Sequence, residues 1–162
     1  MRLGRYLERA DMTTRNLDAG VAAILQTADD EHSVNSHQII WGNVLRSLNA
    51  DQSYRRTCRA SVSSVLVVRY LLQNAEFPKS VGYCINALID SCHHLPHSKD
   101  LLVELNEIRS RVYNEGKDPV SGELLREYLN DLQILIGNVN QSIAQAWFPK
   151  IETHNHTLPI AL

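Results

Sequence analysis

Chain breakers are scarce in this sequence. Seven glycines and five prolines are spread over 162 residues, and the apolar residues between them recur mostly at helical spacing, which reads as an all-helical protein. Cysteine is scarcer still. Cys58, Cys84 and Cys92 are odd in number and no two stand in a CxxC spacing, so neither a disulfide framework nor a zinc knuckle is indicated. Reduced, buried thiols in a cytoplasmic protein fit that count. A basic excess is also missing: 16 Lys and Arg against 18 Asp and Glu give a net charge of -2, without the surplus that drives binding to nucleic-acid phosphates. No apolar run approaches the ~20 residues that span a bilayer. The first residues, MRLGRYLERAD, carry charges where a signal peptide has its apolar segment.

What is present suits one ordinary domain, since 44% apolar residues can close a core and 21% charged residues keep it soluble. Leu3, Leu7, Ala10, Thr14, Leu17, Val21 and Ile24 step by four and three, drawing one stripe from near residue 2 to about 27. Arg2, Arg5 and Arg9 lie on the opposite side. A second helix starts near Asn35 or Ser36, buries Ile40, Val44, Leu45 and Leu48 beside Trp41, and ends around Asn49. The run SVSSVLVVRYLLQN is β-branched enough for a strand, yet its length and the helical steps of Val65, Arg69 and Leu72 favour a short helix.

Pro78 then stops the chain and Ser80 caps the next helix, with Val81, Cys84, Leu88, Cys92 and Leu95 inward and Pro96 ending it. In the FPKSV turn, Phe77 plugs the core and Lys79 stays in water, so the turn reads as architecture. Ser98 caps a fifth helix with Leu101, Leu105, Ile108 and Val112 inward, closed by Gly116, and 117–122 is a loop. The last helix is the longest: Leu125, Leu129, Leu132, Ile136, Val139, Ile143 and Ala146 hold their spacing over three heptads. Its stripe matches that of the first helix, so the two pack side by side, parallel or antiparallel. The expected fold is an all-α bundle of about six helices with long first and last members, forming a domain over residues 1–148. The tail, 149–162, has no helical period and reads as irregular, disordered or laid over a neighbour.

Three stretches carry a family resemblance: LGRYLERADMTTRNLD near the start, WGNVLRSLNADQSYRR from Trp41, and FPKSV followed by Cys84. Together, in that order, they resemble the alpha-E domain proteins, a bacterial family named for a Glu-Arg pair, here Glu8-Arg9. The chain is similar to the second half of members roughly twice its length. The resemblance implies an all-helical protein of unestablished activity whose genes commonly neighbour those of ATP-grasp enzymes and transglutaminase-like proteases. It therefore implies a role in forming or processing amide-linked peptides.

Candidate contact residues concentrate on the first helix, where Arg5, Glu8, Arg9, Asp11 and Arg15 crowd together. Arg5 and Glu8 stand at i,i+3 and Asp11 and Arg15 at i,i+4, the spacing of surface ion pairs. Alternatively, their arginine forks hold a carboxylate or phosphate of a ligand or partner. Acid-base chemistry would need Glu8 or Asp11 to meet Asp90, Glu104 or Glu107 from another helix. No Gly-rich phosphate loop, nucleophile elbow or HExxH motif is present. His93 and His97 stand four apart as weak metal candidates, with Pro96 breaking the helix that would align them, and His154 and His156 in the tail are weaker. Arg55 and Arg56, in the run Tyr54 to Arg59, read as a solvated connector or an interaction edge rather than a nucleic-acid site.

Two function classes remain. The leading one is a non-catalytic helical interaction module, without cofactor or metal, that works beside an ATP-grasp ligase or transglutaminase-like protease. The alternative is an enzyme that uses the arginine and carboxylate cluster of the first helix on a peptide or carboxylate substrate. The uncapped start at Met1, the likeness to half of a two-part family and the long stripes point to self-association, most simply a two-fold dimer, with Leu132 and Val139 either at its face or in the internal core.

Overall fold

The computed structural model of the chain describes residues 2–27, 33–114 and 122–148. Among the described residues it is built of seven helices and no strand: α1 (Arg2–Leu25), α2 (Ser33–Ser47), α3 (Asp51–Cys58), α4 (Ser64–Gln73), α5 (Val81–Cys92), α6 (Lys99–Asn114) and α7 (Glu123–Trp147). The two long helices are the first and the last, as the heptad stripes require. Leu3, Leu7, Ala10, Thr14, Leu17 and Val21 of α1 are buried. So are Leu125, Leu129, Leu132, Ile136, Val139 and Ile143 of α7.

Four of the helices close a ring. α1 and α7 are antiparallel, for Arg126 at the start of α7 meets Asp18 at 3.0 Å while Asn140, further along, shares a cleft with Gly4. α6 runs back against α7, with the Tyr128 hydroxyl on the Arg111 carbonyl at 3.2 Å and the Ser142 hydroxyl on Glu104 at 2.8 Å. α5 packs on α6, where Asn86 donates to the Tyr113 hydroxyl at 3.2 Å, and on α1, where the rings of Tyr6 and Tyr83 lie 6.3 Å apart. An antiparallel four-helix bundle α1-α5-α6-α7 results. Its centre is filled by fully buried Leu17, Cys84, Ile85, Leu88, Leu105, Ile108, Leu129, Leu132 and Val139. Burying each of the larger aliphatic side chains contributes about 1.5–3 kcal/mol.

The remaining helices, α2 to α4, cover the flank formed by α1 and α5. α2 crosses the second half of α1 so closely that a β-carbon on Gly20 would stand 2.8 Å from Val44 and 3.1 Å from Trp41. Any side chain there would have to push Val44 and Trp41 aside. Ser47 binds Asn16 at 2.8 Å beside it.

The count of helices exceeds expectation by one, because Asp51–Cys58 is helical rather than a connector. Its sole buried residue is Tyr54, so its apolar pattern is too thin to register as periodicity, and it has no side-chain cap. The β-branched run is helix α4, started by Ser63, whose hydroxyl accepts from Leu66 N–H. Ala146, expected inward, is exposed, and the flanking Ile143 and Trp147 are the residues that face the core at the end of α7. Leu132 and Val139 are core, with no exposed surface, so the internal of their two expected placements holds. Residue 1, Gly116, the loop 117–121, His154, His156 and the whole 149–162 tail lie outside the described residues.

The FPKSV turn is architecture of a denser kind than the sequence suggests. Asn74 ends α4 and its side-chain oxygen accepts from the N–H groups of Glu76 and Phe77 at 2.9 and 2.7 Å. Ser80 caps α5 by accepting from Tyr83 N–H at 3.1 Å and donates back to the Asn74 carbonyl. Phe77 is buried and stacks on Tyr70, with ring centroids 5.4 Å apart. Lys79 does not stay in water. Its ammonium reaches the Leu48 carbonyl at the end of α2, at 2.8 Å, where an unpaired helix-terminal carbonyl needs a donor.

Candidate functional site

α1 sits in the middle of the fold, and its buried stripe leaves Arg5, Glu8, Arg9, Asp11 and Arg15 around the remaining arc. A helix turns about 100° per residue, so Glu8 and Arg9 diverge despite being neighbours. Glu8 lines a cleft of about 370 Å³ between α1 and α7, whose walls include Gly4, Asp11 and Arg15 on one side and Gly137 and Asn140 on the other. Leu7 and Ile136 supply its apolar surface. Arg9 is half-buried on the opposite flank, close enough to the Cys84 thiol of α5 for its charge to be felt there.

That thiol is not a nucleophile at neutral pH. Burial pushes Cys84 up to about 12, and the Arg9 guanidinium offsets only part of the rise. Burial also raises Cys92 and Cys58. A thiolate, the form that attacks or binds metal, is thus disfavoured at all three positions.

The candidate contact residues divide into two groups. Asp11 holds Arg15 at 2.7 Å through Oδ2, and its hydrogen bond and charge raise the Arg15 pKa. Arg55 pairs with Asp51 at 3.3 Å and Arg56 with the Gln52 side chain at 3.5 Å, so the basic run is the surface of α3. Arg55 and Asp51 also border a separate cleft of about 560 Å³ against α2. Arg5, Glu8 and Arg9 form no hydrogen bond or ion pair among the described residues. The expected Arg5–Glu8 pair is therefore absent there.

The acids expected to converge are engaged elsewhere or apart. Both Glu104 oxygens accept from Ser142, at 2.8 and 3.1 Å, and Glu107 pairs with Arg111 at 3.6 Å. Asp90 is exposed on α5. His93 caps the end of α5 and His97 sits at φ 60 in the following turn, both exposed. Among the described residues, no three His, Cys, Asp or Glu side chains gather into a metal-binding group.

Comparison with known families bears on the one Glu-Arg dipeptide in the chain. A family model called Alpha-E, described as a predicted alpha-helical domain with a conserved ER motif, matches residues 1–148. The chain belongs to the Alpha-E family. No curated protein and no solved structure matches it. Glu8-Arg9 is the ER motif of this Alpha-E domain, and its two side chains serve opposite flanks of α1. None of the domain's described helices is long and apolar enough to cross a membrane.

Sequence reasoning missed two polar residues that position this helix. Thr13, fully buried, donates to the Lys79 carbonyl at 2.7 Å, and Asp18 takes Arg126 at 3.0 Å across 108 residues of chain. Periodicity reports which face of a helix is buried and is silent on which distant residue meets it.

Proposed function

We propose that this Alpha-E chain is a non-catalytic, cytoplasmic interaction module of a bacterial system that forms or processes amide-linked peptides. It docks an ATP-grasp ligase or a transglutaminase-like protease through the first half of α1. One observation carries the reading: Glu8 and Arg9, the family's own motif, take no hydrogen bond or ion pair within the described fold. A charged pair that is not spent on the domain's own network is free to form charge-assisted bonds with another molecule. Separate flanks for the acid and the base suit a partner that straddles the helix, with Arg5 between them.

The protonated thiols and the dispersed acids favour a contact face over a reacting centre. Titration calorimetry of the purified domain with the purified ligase, and separately with the protease, tests the proposal. Wild-type chain should bind one of them, and Glu8→Gln or Arg9→Gln should weaken binding by on the order of tenfold or more. Unchanged affinity in both variants, or no binding to either protein, overturns it.

A further inference from the structure

Arg2, Arg5, Glu8 and Asp11 follow one another at intervals of three, the spacing of a surface ridge on a helix. Arg2, Arg5 and Glu8 are exposed and Asp11 is half-exposed at the rim of the α1-α7 cleft. Read along α1, the ridge is plus, plus, minus, minus. The same ridge on an antiparallel copy reads minus, minus, plus, plus. In the register that sets Arg5 against Glu8, Arg2 falls against Asp11, which already holds Arg15 of its own chain, so Arg5 with Glu8 is the pair that carries the contact, made twice across the two-fold axis.

The cleft supplies room for this. A β-carbon built on Gly4 or on Gly137 would have nothing within 4 Å, so neither glycine is demanded by packing inside the chain. Gly137 lies in the interior of α7, where glycine is less favourable than alanine by about 1 kcal/mol. Its bare backbone leaves open the space in which a long side chain from outside could lie along Leu7 and Ile136 toward Glu8. Asn140 adds an amide oxygen on the far wall. Arg15, the cation on this wall, is held by Asp11, which leaves the Glu8 carboxylate to take an incoming arginine fork, with apolar surface for its methylenes.

We infer that the partner of this ridge is a second copy of the chain, bound antiparallel along α1, with Arg5 of each copy inserted into the α1-α7 cleft of the other to pair with Glu8. The inference rests on the reading of α1 as a contact face and adds that a ligase or protease docking there competes with self-association.

Sedimentation equilibrium on the full chain tests it. Wild-type protein should show a concentration-dependent rise from 18.3 kDa toward twice that mass. Arg5→Glu alone and Glu8→Arg alone place like charges together and should each weaken the dimer on the order of tenfold or more. The double swap Arg5→Glu with Glu8→Arg restores the pairing and should restore the dimer. Gly137→Leu, which fills the cleft without changing charge, should weaken it as well. A single 18.3 kDa species, a dimer indifferent to the single swaps, or a double variant no better than either single overturns the inference. If the wild-type chain is monomeric while Glu8→Gln still weakens ligase or protease binding, the copy is wrong and the contact face stands.

Discussion

Thr13 in the middle of α1 and Lys79 just before α5 share one hydrogen bond, 2.7 Å long, between a fully buried hydroxyl and a backbone carbonyl. Because the Lys79 side chain in turn binds the end of α2, this contact ties α1, α2 and α5 at one point. Thr13→Val keeps the shape and orphans the carbonyl. It should cost about 1–3 kcal/mol, read as a lowered thermal midpoint with an unchanged helical spectrum. A midpoint equal to that of wild type would show that the bond carries no net stability.

Two glycines should respond to alanine with opposite signs. Gly20→Ala pushes a methyl group to 2.8 Å from Val44 and should destabilise the fold by about 1–3 kcal/mol, as overpacking does. Gly137→Ala meets open space in the interior of a helix and should stabilise the isolated chain by about 0.5–1 kcal/mol. Urea denaturation of both variants reads the two signs directly.

Alkaline pH should unfold the bundle through its thiols. In the folded chain, burial pushes Cys84 to about 12 from an ordinary 9.0, so the protonated thiol is favoured by the fold. That stability is complete below the unfolded value and is lost as pH climbs from about 9 to about 12. The loss runs at roughly 1.4 kcal/mol per pH unit while only the unfolded thiol ionises. Cys92 shifts the same way, as do Tyr54 and Tyr70 from their higher starting point. Cys84→Ala should flatten the pH dependence of urea midpoints across this range, whatever it costs in packing. An equal slope in wild type and variant would remove Cys84 from the account.

Glu8→Gln and Arg9→Gln should leave stability within about 0.5 kcal/mol of wild type, since neither side chain is tied into the described network. Calorimetric melts of both variants check this. A drop of several kcal/mol would mean that one of them sits in a buried pair.

Much of the bundle was legible because its two longest helices repeat Leu, Ile and Val at steps of three and four, which only one face of a helix satisfies. Ser80 and the Pro78 break were legible for a local reason, a cap and a missing N–H. α3 was not, as one buried tyrosine makes no period. The direction of α7 against α1 was equally hidden, because a heptad stripe is the same read upward or downward and only contacts such as Asp18 with Arg126 fix it. Of the candidate site, the identity of Glu8-Arg9 was visible and its division between two flanks was not. That follows from helical phase only once α7 and α5 are known to lie on either side.

The ring order also fixes when the fold can be completed. α1 needs α7 to cover Leu7 and Leu17, and nearly a hundred residues separate the two helices. As the chain leaves the ribosome, α1, α5 and α6 can assemble while a furrow of leucines and isoleucines waits for α7. Closing it means joining segments far apart along the chain, the slow kind of step. Until then the nascent protein presents an uncovered apolar channel for the time needed to translate α7.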